Sequence, residues 1–207
     1  MVEQKFNRLV AFSRVPKTGS SSIVDGLEDI GITIRGNPVL SKKAIWVVNG
    51  NQVNRVGAPG IEEHYCFATI RNPLTRFLSG WRFCLKMEWL GPDCTPIDLL
   101  EMVKKDDRNT MPYMVYYHVA KAQCRWLFSD GKFICNNIIK YENLVPDTLQ
   151  IMKILGISNF QMGHKKNSRD DNSLTPGTNE FYLLKYPELK WMHRQVFEED
   201  WRRLSYD

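Results

Sequence analysis

Leu9-Val10-Ala11-Phe12-Ser13-Arg14-Val15-Pro16-Lys17-Thr18-Gly19-Ser20-Ser21-Ser22 is the stretch from which the rest of this chain is read. Its apolar start predicts a buried strand over about 8–15, and the residues after it, Ile23 to Ile30, predict a helix over about 21–30. A strand that turns through glycine and hydroxyl residues into a helix offers backbone N–H groups and the positive end of a helix dipole to an anion. Pro16, Lys17, Thr18, Gly19, Ser20, Ser21 and Ser22 are therefore candidate phosphate-binding residues. The order differs from the Walker loop, G-x-x-x-x-G-K-[ST], because Lys17 precedes the glycine. Taken alone, the run is also compatible with an ordinary turn capped by a serine.

A second unit of the same kind is Phe67-Ala68-Thr69-Ile70-Arg71-Asn72-Pro73-Leu74-Thr75-Arg76-Phe77-Leu78-Ser79. Proline fits the first turn of a helix, where its missing N–H costs nothing, so Asn72 is read as the cap and Pro73 as the start of a helix over 73–86. Arg71 then stands at the C-terminal edge of its strand. Arg76 and Ser79 share a helix face by their spacing, and a guanidinium fork with a hydroxyl suits a second phosphate. Arg71 pairing with a carboxylate, with Ser79 facing solvent, is the plainer alternative.

Together these elements resemble the nucleotide-binding signatures of sulfotransferases that use 3′-phosphoadenosine 5′-phosphosulfate (PAPS). The resemblance is closest to the membrane-type carbohydrate sulfotransferases, including those acting on heparan and chondroitin chains. It implies a P-loop-like α/β fold with a central parallel sheet flanked by helices. It also implies that the Pro16–Ser22 loop binds the 5′-phosphosulfate and that Arg71 and Ser79 bind the 3′-phosphate. Gln123-Cys124-Arg125-Trp126-Leu127 and Ile138-Ile139-Lys140-Tyr141-Glu142-Asn143-Leu144 look like later parts of that family. So do His164-Lys165-Lys166-Asn167-Ser168 and the closing Val196-Phe197-Glu198-Glu199-Asp200-Trp201.

Composition agrees with such a protein. At 207 residues, 43% hydrophobic and 12% aromatic, the chain has enough apolar material for a core, and one domain over 1–207 is expected. A net charge of +5 suits a multiply charged nucleotide, while the scattered Lys and Arg argue against a nucleic-acid partner. Charges at the N-terminus and the lack of a long apolar run predict neither a signal peptide nor a membrane segment in this sequence. The expectation is a cytoplasmic protein, or a Golgi-lumen catalytic domain excised from its anchor. Five cysteines, Cys66, Cys84, Cys94, Cys124 and Cys135, lack metal-ligand spacing, so no metal is expected; a bridge between Cys84 and Cys94 stays open.

Strands are expected near 8–15, 44–48, 65–70 and 135–140, and helices near 21–30, 73–86, 96–105, 112–128, 145–155 and 187–204. This alternation predicts a parallel sheet with ligands at its C-terminal edge. Segments 49–62 and 161–179 read as loops. Leu189, Met192, Val196 and Phe197 make an apolar stripe that Trp191 and Trp201 could extend. The run Tyr113–His118 reads mostly as core.

In the resembled family, the lysine of the first loop neutralises charge on the leaving phosphate, which assigns Lys17 that role. The product is 3′-phosphoadenosine 5′-phosphate (PAP), and the acceptor a hydroxyl, in this subfamily one on a carbohydrate. A general base is also needed. The family often places a histidine well before Arg-Asn-Pro, but the matching stretch here, Ile45-Trp46-Val47-Val48, has none. His64 is the nearest candidate, followed by His118, Glu28 and Glu63. Two other classes stay open: a P-loop kinase, which would want a lysine after glycines and an acidic Mg²⁺ ligand, and a catalytically degenerate protein that binds PAP or glycan. The oligomeric state is not legible in the sequence.

Overall fold

In the computed structural model, which describes residues 9–35, 44–48, 64–105, 111–129, 131–163 and 177–206, the chain is a mixed α/β fold built on a five-stranded sheet. Its strands are β1 (Leu9–Ser13), β2 (Thr33–Arg35), β3 (Ala44–Val48), β4 (His64–Ile70) and, after a hairpin of β5 (Phe128–Ser129) and β6 (Lys132–Phe133), β7 (Asn137–Lys140). They lie in the order β2-β3-β1-β4-β7, all parallel. The helices are α1 (Ser20–Asp29), α2 (Pro73–Lys86), α3 (Pro96–Lys104), α4 (Tyr113–Val115), α5 (Cys124–Leu127), α6 (Leu144–Ile154), α7 (Asn179–Lys185), α8 (Leu189–Val196) and α9 (Glu198–Arg203). The strands expected near 8–15, 44–48, 65–70 and 135–140 are present. The short β2 and the hairpin were not foreseen, since two or three residues carry no periodicity to read.

The described residues gather into two compact units that interleave along the chain. The first holds the sheet with α1, α5 and α6; the chain leaves it after Arg71 and returns at Gln123. Side chains alternate across a strand, and here size alternates too. Val10 and Phe12 of β1 and Tyr65 and Phe67 of β4 join Ile23, Val24 and Leu27 of α1 and Ile151 and Met152 of α6 in one core. Phe12 and Phe67, partners in register, stack at 4.7 Å. The intervening positions Ala11, Ser13, Cys66 and Ala68 are small and buried. There the Ser13 hydroxyl donates to the Trp126 carbonyl at 2.8 Å, and Cys66 Sγ lies 3.4 Å from Cys135 Sγ. All five cysteines are free thiols, so the Cys84–Cys94 bridge is not formed. A Cβ on Gly26 of α1 would collide with the Gln161 carbonyl, and Gly163 donates to the Ser22 carbonyl at 3.1 Å, which lays residues 160–163 along α1.

The second unit is helical. Leu74, Phe77, Leu78 and Trp81 of α2 pack with Leu99, Leu100, Leu189, Phe197 and Trp201. The helix expected over 112–128 is broken instead. A π-helical turn, Tyr116–Ala120, follows α4, and Lys121 is extended with its carbonyl taking a bond from Arg76 at 3.1 Å. The helix expected over 187–204 is divided at Phe197, whose buried ring stacks on His193 at 4.6 Å. Leu189 and Trp201 are buried as the stripe predicts, but Trp191 is exposed. Of the expected loop 161–179, residues 161–163 and 177–178 are outside helix and strand, 164–176 lie outside the described residues, and Asn179 opens α7, capped by the Thr178 hydroxyl. The loop 49–62 and the segment His164–Ser168 lie outside the described residues.

Candidate active site

Ser13 pairs with Ala68 in the β1–β4 register, so the turn after β1 and the residue after β4 emerge on the same edge of the sheet. Those two strands are also where the chain changes direction: β1 leads on to the β2–β3 side, and the strand on the far side of β4 is β7. Ligands of open parallel sheets bind beyond the C-terminal ends of the strands at such a switch point.

The turn is built as the sequence suggested, with the hydroxyls of Thr18 and Ser20 put to other uses. Lys17 and Gly19 both have positive φ, 67° and 80°. Glycine takes that conformation freely, but a lysine there is strained, and such strain gathers at functional sites. Gly19 is the residue before α1, no side chain caps that helix, and no acidic residue stands in its first turn. A substituent on Gly19 would meet Leu144 at 2.7 Å and Tyr141 at 3.0 Å, so the turn packs directly on the chain leaving β7. Thr18 is fully buried and donates to the Val15 carbonyl at 2.7 Å while lying 2.5 Å from the Thr69 hydroxyl. Its hydroxyl is thus spent inside the fold, and Thr18 can offer an anion only its N–H. Ser20 is buried with its hydroxyl on the Val15 carbonyl at 3.3 Å. Ser21, half-buried, accepts from Arg14 at 2.9 Å, which adds a cation that the sequence did not single out. Lys17 and Ser22 are half-buried and Pro16 is buried.

Arg71 follows β4 and is only 3% exposed. Its guanidinium lies 4.0 Å from the centre of the Tyr141 ring, a stacked arrangement that orients the fork. Its backbone N–H and C=O are both held by the Gln123 side chain. Tyr141, Gln123 and Thr69 lie within the sequence motifs, but their residue types alone do not mark them as functional. The signal for Tyr141 was its position just past a strand parallel to β4, at the edge where Arg71 stands.

Other expected residues fall elsewhere. Asn72 caps α2 as foreseen, accepting from Leu74 at 3.1 Å and Thr75 at 3.2 Å. Ser79 is half-buried on α2, in the second unit. Arg76 does not present its fork to an anion: it is 2% exposed in that unit's core, where burial outweighs the nearby Asp200 carboxylate and pushes its pKa down to about 10. His193, beside it, is pushed down to about 3, first by burial and then by the Arg76 charge, and its Nδ1 accepts from Trp201 Nε1 at 3.2 Å. His64 opens β4 opposite Leu9, at the edge of the sheet away from Arg71, so it is not gathered with Lys17. His118 is half-buried in the second unit among Phe83, Trp89 and Tyr117. Glu28 is exposed on α1, and Glu63 lies outside the described residues. No cluster of three or more His, Cys, Asp or Glu is placed to hold a metal among the described residues.

A lysine turn with positive φ at a helix start that no side chain caps, and a buried arginine over a tyrosine ring, thus stand on the same edge of the sheet of an α/β protein. The profile of the Sulfotransferase family matches residues 5–207, and the chain belongs to that family. The fold is also that of a crystal structure of a sulfotransferase from Alicyclobacillus acidocaldarius, with 14% identity, a TM-score of 0.54, and coverage of 92% of this chain and 96% of that one. No curated protein matches the chain. Sulfuryl transfer is the chemistry of the family, which makes the chain a sulfotransferase in the general sense. No helix among the described residues is long and apolar enough to cross a membrane.

Proposed function

We propose that this sulfotransferase takes its sulfuryl group from PAPS and delivers it to a hydroxyl of an acceptor, in this reading a carbohydrate. The observation that carries the donor half is the joint position of the Pro16–Ser22 turn and Arg71 at the ends of β1 and β4. The donor groups there include cations, N–H groups and the hydroxyls of Ser21 and Ser22, which fits a nucleotide carrying phosphates at two positions. PAPS brings an activated sulfate whose transfer leaves a negatively charged 5′-phosphate. Lys17 and the N–H groups opening α1 hold that phosphate, and the Lys17 ammonium neutralises its growing charge. Arg71, braced on Tyr141, holds the 3′-phosphate; Ser79 joins it in this reading through the family resemblance alone. The carbohydrate acceptor and the membrane-type subfamily rest on that resemblance, the single domain over 1–207 on length and composition, and the metal-free mechanism on cysteines without metal-ligand spacing.

The donor reading is tested by calorimetric titration of PAP, ATP and AMP into wild type and Arg71→Ala. The expected order places PAP above AMP, with Arg71→Ala losing about 1.5–3 kcal/mol toward PAP. Stronger binding of ATP, or none of PAP, overturns it. The placement of His64 away from Arg71 favours one second reading, a protein that binds PAP without turnover. Sulfate release from labelled PAPS onto an acceptor library separates the two.

A further inference from the structure

The geometry points to Gln123 as the positioning residue for Arg71, a side-chain amide standing where a neighbouring strand would otherwise be. The inference rests on the donor reading above. The β4–β7 ladder ends at Ile70 and Lys140, and the β1–β4 ladder at Ser13 and Ala68. Arg71 comes next, past both paired registers, and is buried, so its backbone N–H and C=O need partners.

Gln123, with 0% exposure, provides both. Its Oε1 accepts from the Arg71 N–H at 3.0 Å and its Nε2 donates to the Arg71 C=O at 2.8 Å, across 52 residues of chain. A carboxamide has the shape of a peptide group, and this pair reproduces the two-bond exchange of a hydrogen-bonded pair in an antiparallel ladder, within a sheet that is otherwise parallel. The amide orientation follows from the network, since a flip would set donor against donor and acceptor against acceptor. Asparagine is too short to keep both bonds, and apolar side chains make neither.

The support is itself anchored. Gln123 leads into α5, where the Trp126 carbonyl takes the Ser13 hydroxyl of β1. Arg71 is thus held at its backbone by Gln123 and at its guanidinium by Tyr141, which fixes both ends of a flexible side chain. Anchoring of this kind lowers the conformational cost of gripping a phosphate.

The test is titration of PAP and of AMP, which lacks the 3′-phosphate, into wild type, Gln123→Met, Arg71→Ala and the double variant. Gln123→Met is expected to weaken PAP about tenfold, as for one lost anchored contact, while AMP changes less than about twofold. In the Arg71→Ala background it should cost PAP nothing further. Equal losses for PAP and AMP, or additive losses in the double variant, reduce Gln123 to a structural residue and overturn the inference. Wild type that fails to bind PAP, or Arg71→Ala that binds it undiminished, overturns the donor reading instead. Should Gln123→Met not fold by circular dichroism, Gln123→Glu replaces it. A neutral carboxylic acid can both donate and accept as the amide does, so PAP affinity relative to wild type should fall as pH rises and Glu ionises. A ratio that stays flat from pH 5 to 9 goes against the proposal.

Discussion

The hydroxyls of Thr18, on the turn after β1, and Thr69, on β4, lie 2.5 Å apart in a fully buried position, tying the turn after β1 to the strand that delivers Arg71. Thr18 gives its proton to the Val15 carbonyl, so Thr69 is the donor in the pair. Replacing Thr18 by Val keeps the shape and strands the buried Thr69 hydroxyl, while the Val15 carbonyl keeps the Ser20 hydroxyl, for an expected loss of about 1–3 kcal/mol. Thr18→Val/Thr69→Val should cost less than the sum of the single changes, read from urea unfolding of all four proteins. Strict additivity would mean the two hydroxyls do not interact.

Lys17 sits in a conformation that suits glycine. Lys17→Gly is therefore expected to be more stable than Lys17→Ala by about 1 kcal/mol, the reverse of the usual loop order. Both remove the ammonium, and both should lower sulfuryl transfer by roughly a hundredfold or more. Thermal melts and a labelled-donor assay check the two halves separately, and an Ala variant as stable as the Gly one would rule out strain at this residue.

His193 makes stability depend on acid. Its folded pKa, about 3, lies below the ordinary 6.5. Between those values the unfolded chain binds a proton that the native state refuses. Its contribution is complete above pH 6.5 and is lost as pH falls toward 3. The full loss is up to roughly 4–5 kcal/mol, at about 1.4 kcal/mol per pH unit. Urea unfolding at pH 7, 6, 5 and 4 should show this slope in wild type and a shallower one in His193→Gln, which can still accept from Trp201. Parallel slopes would remove His193 from the account.

Thiol chemistry should follow burial. Cys94 is half-buried and the other four cysteines are buried. Burial, then the Asp98 charge, raises the Cys94 pKa, which slows its reaction as well. A disulfide reagent at pH 8 should label Cys94 alone, slowly, in the native protein, and all five thiols in denaturant. Fast native labelling of Cys66 or Cys135 would contradict the packing between β4 and the start of β7.

The sequence made legible what is local. Pro16–Ser22 and Arg71-Asn72-Pro73 carry their geometry in neighbouring residues: a glycine for positive φ, an asparagine cap and a proline at the first helical position. What it hid depends on contacts between distant positions. Nothing near Arg76 says that its charge is buried beside Asp200 and His193, so its helical spacing from Ser79 suggested a phosphate ligand. Thr18 looked like a phosphate donor because its partner, Thr69, lies 51 residues away. His64 is a different case, since its place before the apolar run of β4 already sets it at the entry end of the strand, where the structure has it. The π-turn at Tyr116–Ala120 has no sequence period of its own, and a continuous helix was the natural reading.

The bonds between Gln123 and Arg71 also bear on how such a chain can change over time. They join the two ends of an excursion of about fifty residues at 2.8 and 3.0 Å, so the sheet senses a closed gate and not the length of what lies beyond it. Closing a longer loop between fixed ends adds only about 0.6 kcal/mol per doubling of its length. Insertions, deletions or exchanged segments between those two residues can therefore accumulate while the register of β1, β4 and β7 stays as it is.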